Sequence, residues 1–175
     1  MDFETLVKTR QSCRDFNGEK VTKEEVDKIL SIARLAPSGC NSQPWKVYVA
    51  LSEEKVKQVA PILQDNGRNK FTDNATCFIA IAEKPRPLKP EISHRIAIDH
   101  FMKYDIGEYL AYLTLAAEEI GLNTCIIGWI KHQELKDALG IPEDEVCNLV
   151  VAIGRSNCEI REKKRLTIDE TVKFL

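Results

Sequence analysis

Ala36-Pro37-Ser38-Gly39-Cys40-Asn41-Ser42-Gln43-Pro44-Trp45 is the stretch on which the reading of this chain turns. Pro37, Gly39 and Pro44 stop any helix or strand, so the backbone groups between them need partners outside regular structure. Four short polar side chains, Ser38, Asn41, Ser42 and Gln43, crowd the same turn. Trp45 then opens a run of strand formers, Trp45-Lys46-Val47-Tyr48-Val49-Ala50. A polar loop fixed by Pro and Gly at the mouth of a strand is where a scaffold presents groups to a ligand. A plain connecting loop, with Asn and Ser satisfying their own turn, fits the same residues equally well.

The chain has 175 residues, 43% of them apolar, which suits one domain over residues 1–175 with a full core. Lys and Arg number 25 against 27 Asp and Glu, interspersed throughout, so no basic face points to nucleic acid or an anionic membrane. The N-terminus shows no basic segment followed by an apolar one, and no run reaches the roughly 18 apolar residues of a membrane span. Six cysteines lie far apart with no Cys-x-x-Cys pair, and the reading is free thiols rather than a disulfide framework. His94, His100 and His132 show no metal-type spacing. A cytoplasmic protein without a metal is expected.

Outward from the turn, periodicity predicts the elements. Asp2 caps a first helix with Phe3, Leu6 and Val7 on one face. Thr22-x-x-Glu25 is a capping box, and Val26, Ile29, Leu30 and Ala33 carry a helix to Ala36. After the strand at 45–50, Ser52 caps a third helix that breaks near Pro61. Thr76 to Ala82 reads as a buried strand, and Pro85, Pro87 and Pro90 as an extended loop. The longest periodic segment, Tyr104 to Ile120, is the most buried helix, with Gly121 as its cap. Strands follow at 123–127 and 146–153, separated by a short helix ending at Gly140. The tail turns strand-like at Leu166-Thr167-Ile168. Strands apolar on both faces require helices on both sides of one sheet.

Neither a Gly-rich phosphate loop nor a Ser/His/Asp or Cys/His/Asp set occurs. What remains is the polar turn and two basic clusters: Arg10, Ser12 and Arg14 near one end, Lys163 and Arg165 near the other. Alternation puts each set on one side of an extended segment. Together they make an anion site, with guanidinium groups as the strong donors. Apart, each is a solvated charged stretch.

The order Arg10-x-Ser12-x-Arg14, the 36–45 turn, Cys125-Ile126-Ile127-Gly128 after a long helix, and Lys163-x-Arg165 resembles the FMN-dependent nitroreductase family over essentially the whole chain. The resemblance implies an α+β fold: a mainly antiparallel central sheet flanked by helices on both faces, in an intertwined homodimer with FMN at the subunit interface. It implies FMN binding by the segment Arg10, Gln11, Ser12, Cys13 and Arg14, with Arg10 at the phosphate and Arg14 near the pyrimidine edge. Asn41 would bond the flavin ring, Pro37, Ser38 and Gly39 would approach it from the other subunit, Ile127 and Gly128 would offer backbone near N5, and Lys163 and Arg165 would complete the phosphate site.

The implied activity is hydride transfer from NADH or NADPH through flavin N5 to an electron-poor acceptor, nitroaromatic or quinone, by a ping-pong mechanism with no catalytic side chain. A non-catalytic FMN protein for storage or sensing is the alternative. Gln11 departs from the second arginine common in relatives, as does Gly154-Arg155-Ser156 from their Gly-Tyr-Pro. Trp45 is expected in the core; Trp129 fits either the pocket or the core.

Overall fold

A computed structural model describes residues 1–64, 66–86 and 98–175, with 98–100 as backbone only. Pro87, Pro90 and His94 lie outside the described residues.

Four strands, β1 (Trp45–Ala50), β2 (Cys77–Glu83), β3 (Asn123–Ile127) and β4 (Val146–Gly154), form one sheet in the order β1-β2-β4-β3. Every pair is antiparallel, with Trp45 opposite Glu83, Cys77 opposite Ile153 and Asn123 opposite Gly154. β2 is central and buried on both faces, as its unbroken apolar run requires. Its alternation divides the core in two. Phe78, Ala80 and Ala82 face one hydrophobic cluster, and Cys77, Ile79 and Ile81 face the other.

Helices α1 (Phe3–Thr9), α2 (Lys23–Ala33), α3 (Glu53–Val59), α4 (Ile98–Glu119), α5 (His132–Leu139) and α6 (Ile168–Thr171) surround that sheet. α2 and α4 cover the Ile79 face, through Ile29, Ala33, Leu113 and Ala117. Val59 of α3 and Leu135 of α5 cover the Phe78 face. The antiparallel sheet with helices on both sides is the expected α+β architecture.

Local chemistry accounts for the boundaries. Thr22 and Glu25 form the capping box of α2, and Asp2 and Ser52 cap α1 and α3. α2 ends at Ala33, short of the expected Ala36, because Pro37 disfavours helical backbone before it and the chain tightens into three-residue turns. α4 is already helical at Ile98, earlier than its apolar periodicity suggests. It ends as expected: Gly121 adopts φ 78°, the Leu122 N–H reaches Ala117 O at 2.9 Å and the Gly121 N–H reaches Glu118 O at 3.0 Å.

The expected strand at Leu166-Thr167-Ile168 is not one. Thr167 and Glu170 close a second capping box and start α6 instead, on an exposed tail. A strand needs a free sheet edge. The outer edge of β3 is already taken by the N-terminal segment, where Ser12 bridges Thr124 in parallel.

Gly154, at the end of β4, packs so tightly that a Cβ there would sit 2.9 Å from the buried Phe16 ring. Arg155 follows and pairs with Glu19 at 2.8 Å and Glu25 at 2.5 Å. Trp45 is buried as expected, 4.8 Å from Tyr109 between ring centroids.

Candidate functional site

Residues 10–14 leave α1 and run extended beside β3. The Arg10 N–H still bonds Leu6 O at 3.0 Å, and the Cys13 N–H bonds Thr124 O at 2.8 Å. Cys13 therefore turns inward and is fully buried, while Arg10, Ser12 and Arg14 line an outer cavity. The tail returns over this segment. Gln11 accepts from the Arg161 backbone N–H and Nε, both at 3.1 Å, and its own amide donates to Glu159 O at 3.0 Å. Arg161 Nη2 donates to Ser12 O at 2.5 Å. Lys163 donates to Lys8 O, a carbonyl at the C-terminal end of α1, where a cation also meets the negative end of the helix dipole.

The two basic clusters, 150 residues apart in sequence, are thus one surface. Six of the nine residues around a cavity of about 390 Å³ are cations: Arg10, Arg14, Arg161, Lys163, Lys164 and Arg165. Arg10, Lys163 and Arg165 also wall a second, more apolar groove of about 660 Å³, floored by Leu110, Leu115, Ile126 and Leu149. A polar rim on an apolar trough of this size suits a planar ligand with an anionic end.

Arg10 supplies the clearest mark of an anion. Its Nε is buried and makes no hydrogen bond. Burial pulls the Arg10 guanidinium below its usual range, the Glu118 carboxylate opposes that shift, and Arg165 adds repulsion. A buried donor left unsatisfied costs about 1–3 kcal/mol, more when charged, and a bound phosphate removes that cost. The residues present fit a phosphorylated cofactor.

The 36–45 turn is built as strained backbone. Cys40, Asn41 and Gln43 have φ of 53°, 54° and 47°, a left-handed conformation costing side-chain-bearing residues about 1–2 kcal/mol each. The Gly39 N–H donates to Asp105 Oδ1 at 3.0 Å, the Gln43 N–H to Ser38 Oγ at 2.9 Å, and Gln43 Nε2 to Asn41 Oδ1 at 3.2 Å. Pro37 and Asn41 stay exposed, Ser38 and Gly39 half-buried. These contacts present Asn41 to the outside.

Neither cavity lined by Arg10 includes a residue of this turn. The helix explains the separation. The turn rests on Asp105 of α4, whereas the groove is lined from Gly107 onward; two residues round a helix is about 200°. Gly128 is exposed at the end of β3, with a built Cβ 3.6 Å from the groove residue Leu149, and Ile127 is buried. Trp129 is half-exposed, with Arg68 4.8 Å above its ring.

Arg161 is the residue that sequence reasoning passed over, although it continues the alternation of Lys163 and Arg165. Gln11 proves to be a clamp on the tail. The groove face of α4 carried no motif. Among the described residues no cluster of His, Cys, Asp or Glu could hold a metal, and no helix is long and apolar enough to cross a membrane.

The model of the nitroreductase family matches residues 7–155. A protein of Archaeoglobus fulgidus, provisionally named an NADH dehydrogenase/NAD(P)H nitroreductase, is 28% identical over 85% of this chain and 82% of its own length. The Bacillus subtilis FMN reductase [NAD(P)H] is 28% identical over 76% of this chain and 57% of its own. A structure from Exiguobacterium sibiricum, solved in complex with FMN, superposes with a TM-score of 0.87 at 24% identity, covering 100% of this chain and 98% of that one. The chain belongs to the nitroreductase family.

Proposed function

We propose that the chain is an FMN-dependent oxidoreductase that takes reducing equivalents from NADH or NADPH and delivers them to a small electron-poor acceptor, a nitroaromatic or a quinone. The observation that carries this reading is the buried, unpartnered Arg10 Nε at the junction of a cationic cavity and an apolar groove. The names of the relatives support the same cofactor and donor.

When bound, FMN supplies hydride acceptance from the donor and hydride release to the acceptor. Arg10, Lys163 and Arg165 hold the phosphate, and Arg161 adds charge beside Ser12. Arg14, exposed at the rim, supplies the positive charge that favours a reduced flavin. Ile126 and Leu149 exclude water from one wall of the groove. No side chain has to exchange a proton with the acceptor. Donor and acceptor then use one place in turn, which is a ping-pong sequence.

The functional unit is an intertwined homodimer. In the single chain the 36–45 turn and the groove occupy opposite sides of α4, so Pro37, Ser38, Gly39 and Asn41 reach a flavin only from a second copy. Its support is apolar surface that one chain leaves open: no residue of α1 is buried, Phe3 is 72% exposed, and Leu166, Ile168 and Phe174 of the tail are 68%, 69% and 86% exposed. Residues 1–175 act as one FMN-binding domain. A cytoplasmic location belongs to the same reading, supported by six free thiols.

The test is a fluorescence titration with FMN and with riboflavin, which lacks the phosphate. FMN should bind at least tenfold more tightly, as one charge-assisted anchor of about 1.5–3 kcal/mol requires. Equal affinities would remove the phosphate site. Steady-state oxidation of NADH or NADPH with a quinone or nitroarene separates an enzyme from a protein that only stores or senses FMN.

A further inference from the structure

We propose that Cys13 and Cys158 are a modification site: a hydroperoxide converts the pair to a disulfide that fastens the tail onto the arginine segment.

The two thiols are brought together by segments that share one register. The Asn17 N–H bonds Arg155 O at 2.9 Å, and the Arg161 N–H bonds Gln11 Oε1 at 3.1 Å, so residues 11–17 and 155–161 run antiparallel. Cys13 and Cys158 both fall between those two contacts. That register places Cys158 one residue from the position facing Cys13, and the two sulfurs meet because both side chains turn to the same hydrophobic cluster. Cys158 packs on the hydrophobic cluster that contains Cys13, and the Cys13 thiol meets both the Ser156 hydroxyl and the Cys158 thiol. Cys158 is held in place: its N–H bonds Ser156 Oγ at 3.1 Å, and Gln11 Nε2 approaches its sulfur at 3.8 Å.

Exposure divides the roles. Cys158 is half-buried and reachable, the more accessible of the two sulfurs. Burial pushes the Cys13 thiol up, so it stays protonated and waits as the resolving group. The Cys158 thiolate attacks the O–O bond of a hydroperoxide, giving a sulfenic acid at Cys158 and releasing an alcohol, or water from hydrogen peroxide. The Cys13 sulfur then forms the S–S bond, the S–O bond breaks, and hydroxide leaves with the Cys13 proton as water. Two thiols and one hydroperoxide become a disulfide, an alcohol and water. A dithiol reverses it by exchange. The remaining four cysteines are buried or lie elsewhere: burial pushes the Cys125 thiol up beside Cys13 and holds Cys77 at about 12 and Cys147 at about 11, and Cys40 stands exposed on another loop.

The cross-link ties Arg161, Lys163 and Arg165 to Arg10, Ser12 and Arg14. Under the FMN reading above, on which this consequence rests, oxidised protein releases FMN more slowly because its phosphate site is preorganised. The pairing itself does not depend on that reading.

The experiment is peroxide oxidation of the reduced full chain, followed by thiol counting, tryptic mapping and FMN release. Two of six thiols should disappear, with a peptide linking residues 11–14 to residues 156–161, restored by dithiothreitol. Cys158→Ser should abolish the link. Cys13→Ala should instead leave a sulfenic acid at Cys158 that dimedone traps. Oxidation without the linked peptide, or confined to Cys40, overturns the pair. FMN should leave the oxidised protein roughly tenfold more slowly than the reduced one, and equal rates overturn the fastening role. A protein that forms the link yet never takes up FMN overturns the flavin reading alone.

Discussion

At the residue scale, Arg10 and Gly154 show opposite ways in which one position constrains the chain. Arg10 keeps a buried donor unsatisfied, so its benefit appears only when an anion arrives. Arg10→Gln should therefore weaken FMN binding by roughly 10- to 100-fold, since a charge-assisted bond is worth about 1.5–3 kcal/mol. Riboflavin binding should change little, and the urea midpoint of the cofactor-free protein should hold or rise. Equal losses for FMN and riboflavin would place Arg10 away from the phosphate. Gly154 contributes by being small: a methyl group there meets the Phe16 ring at 2.9 Å. Gly154→Ala should lower stability by about 1–3 kcal/mol, the usual cost of overpacking, read from chemical denaturation. The pairing of Gly154 with Phe16 also accounts for a glycine at this position without any role in ligand contact.

At the element scale, the buried carboxylate of Glu145 joins the β1–β2 edge to the turn before β4. It accepts from the Tyr48 hydroxyl at 2.7 Å and lies 2.9 Å from Lys84 Nζ and 3.7 Å from Lys46 Nζ. Burial alone would raise its pKa, but the Tyr48 and Lys84 contacts and the charge of Lys46 outweigh it, and the net direction is down. Because the folded pKa lies below the unfolded one, Glu145 contributes its full stability above the unfolded value, near about 4.3. That contribution fades as pH falls through the folded pKa. Glu145→Gln should cost about 1–3 kcal/mol at pH 7 and flatten the decline in urea midpoint below about pH 4. An unchanged acid profile would show that the carboxylate is not a latch.

Elements of this kind were legible in the sequence to unequal degrees. Capping boxes, β2 and the C-terminal glycine of α4 were readable because their signals are local. The tail was misread because Leu166-Thr167-Ile168 resembles a strand while the local capping box of Thr167 and Glu170 decides otherwise. The Gln11 clamp and the groove face of α4 could not be read at all. Both arise from contacts between segments over 100 residues apart or from a surface whose partner is missing from its own periodicity.

At the scale of the whole molecule, motif order carried the family, and the folded chain supports the proposal of a site shared between two copies. The turn bearing Asn41 and the groove beside Arg10 lie on different sides of α4, and apolar α1 and tail residues stay open. Sedimentation should give twice the chain mass, and removing residues 166–175 should yield a monomer that binds FMN poorly. A monomeric parent with full FMN affinity would contradict the shared site. The most direct measurement of all is the visible spectrum of the purified protein before and after NADH or NADPH is added anaerobically. Flavin absorption that bleaches with either donor is the predicted result. A colourless protein that fails to take up added FMN would contradict it, and the two basic clusters would then be solvated surface.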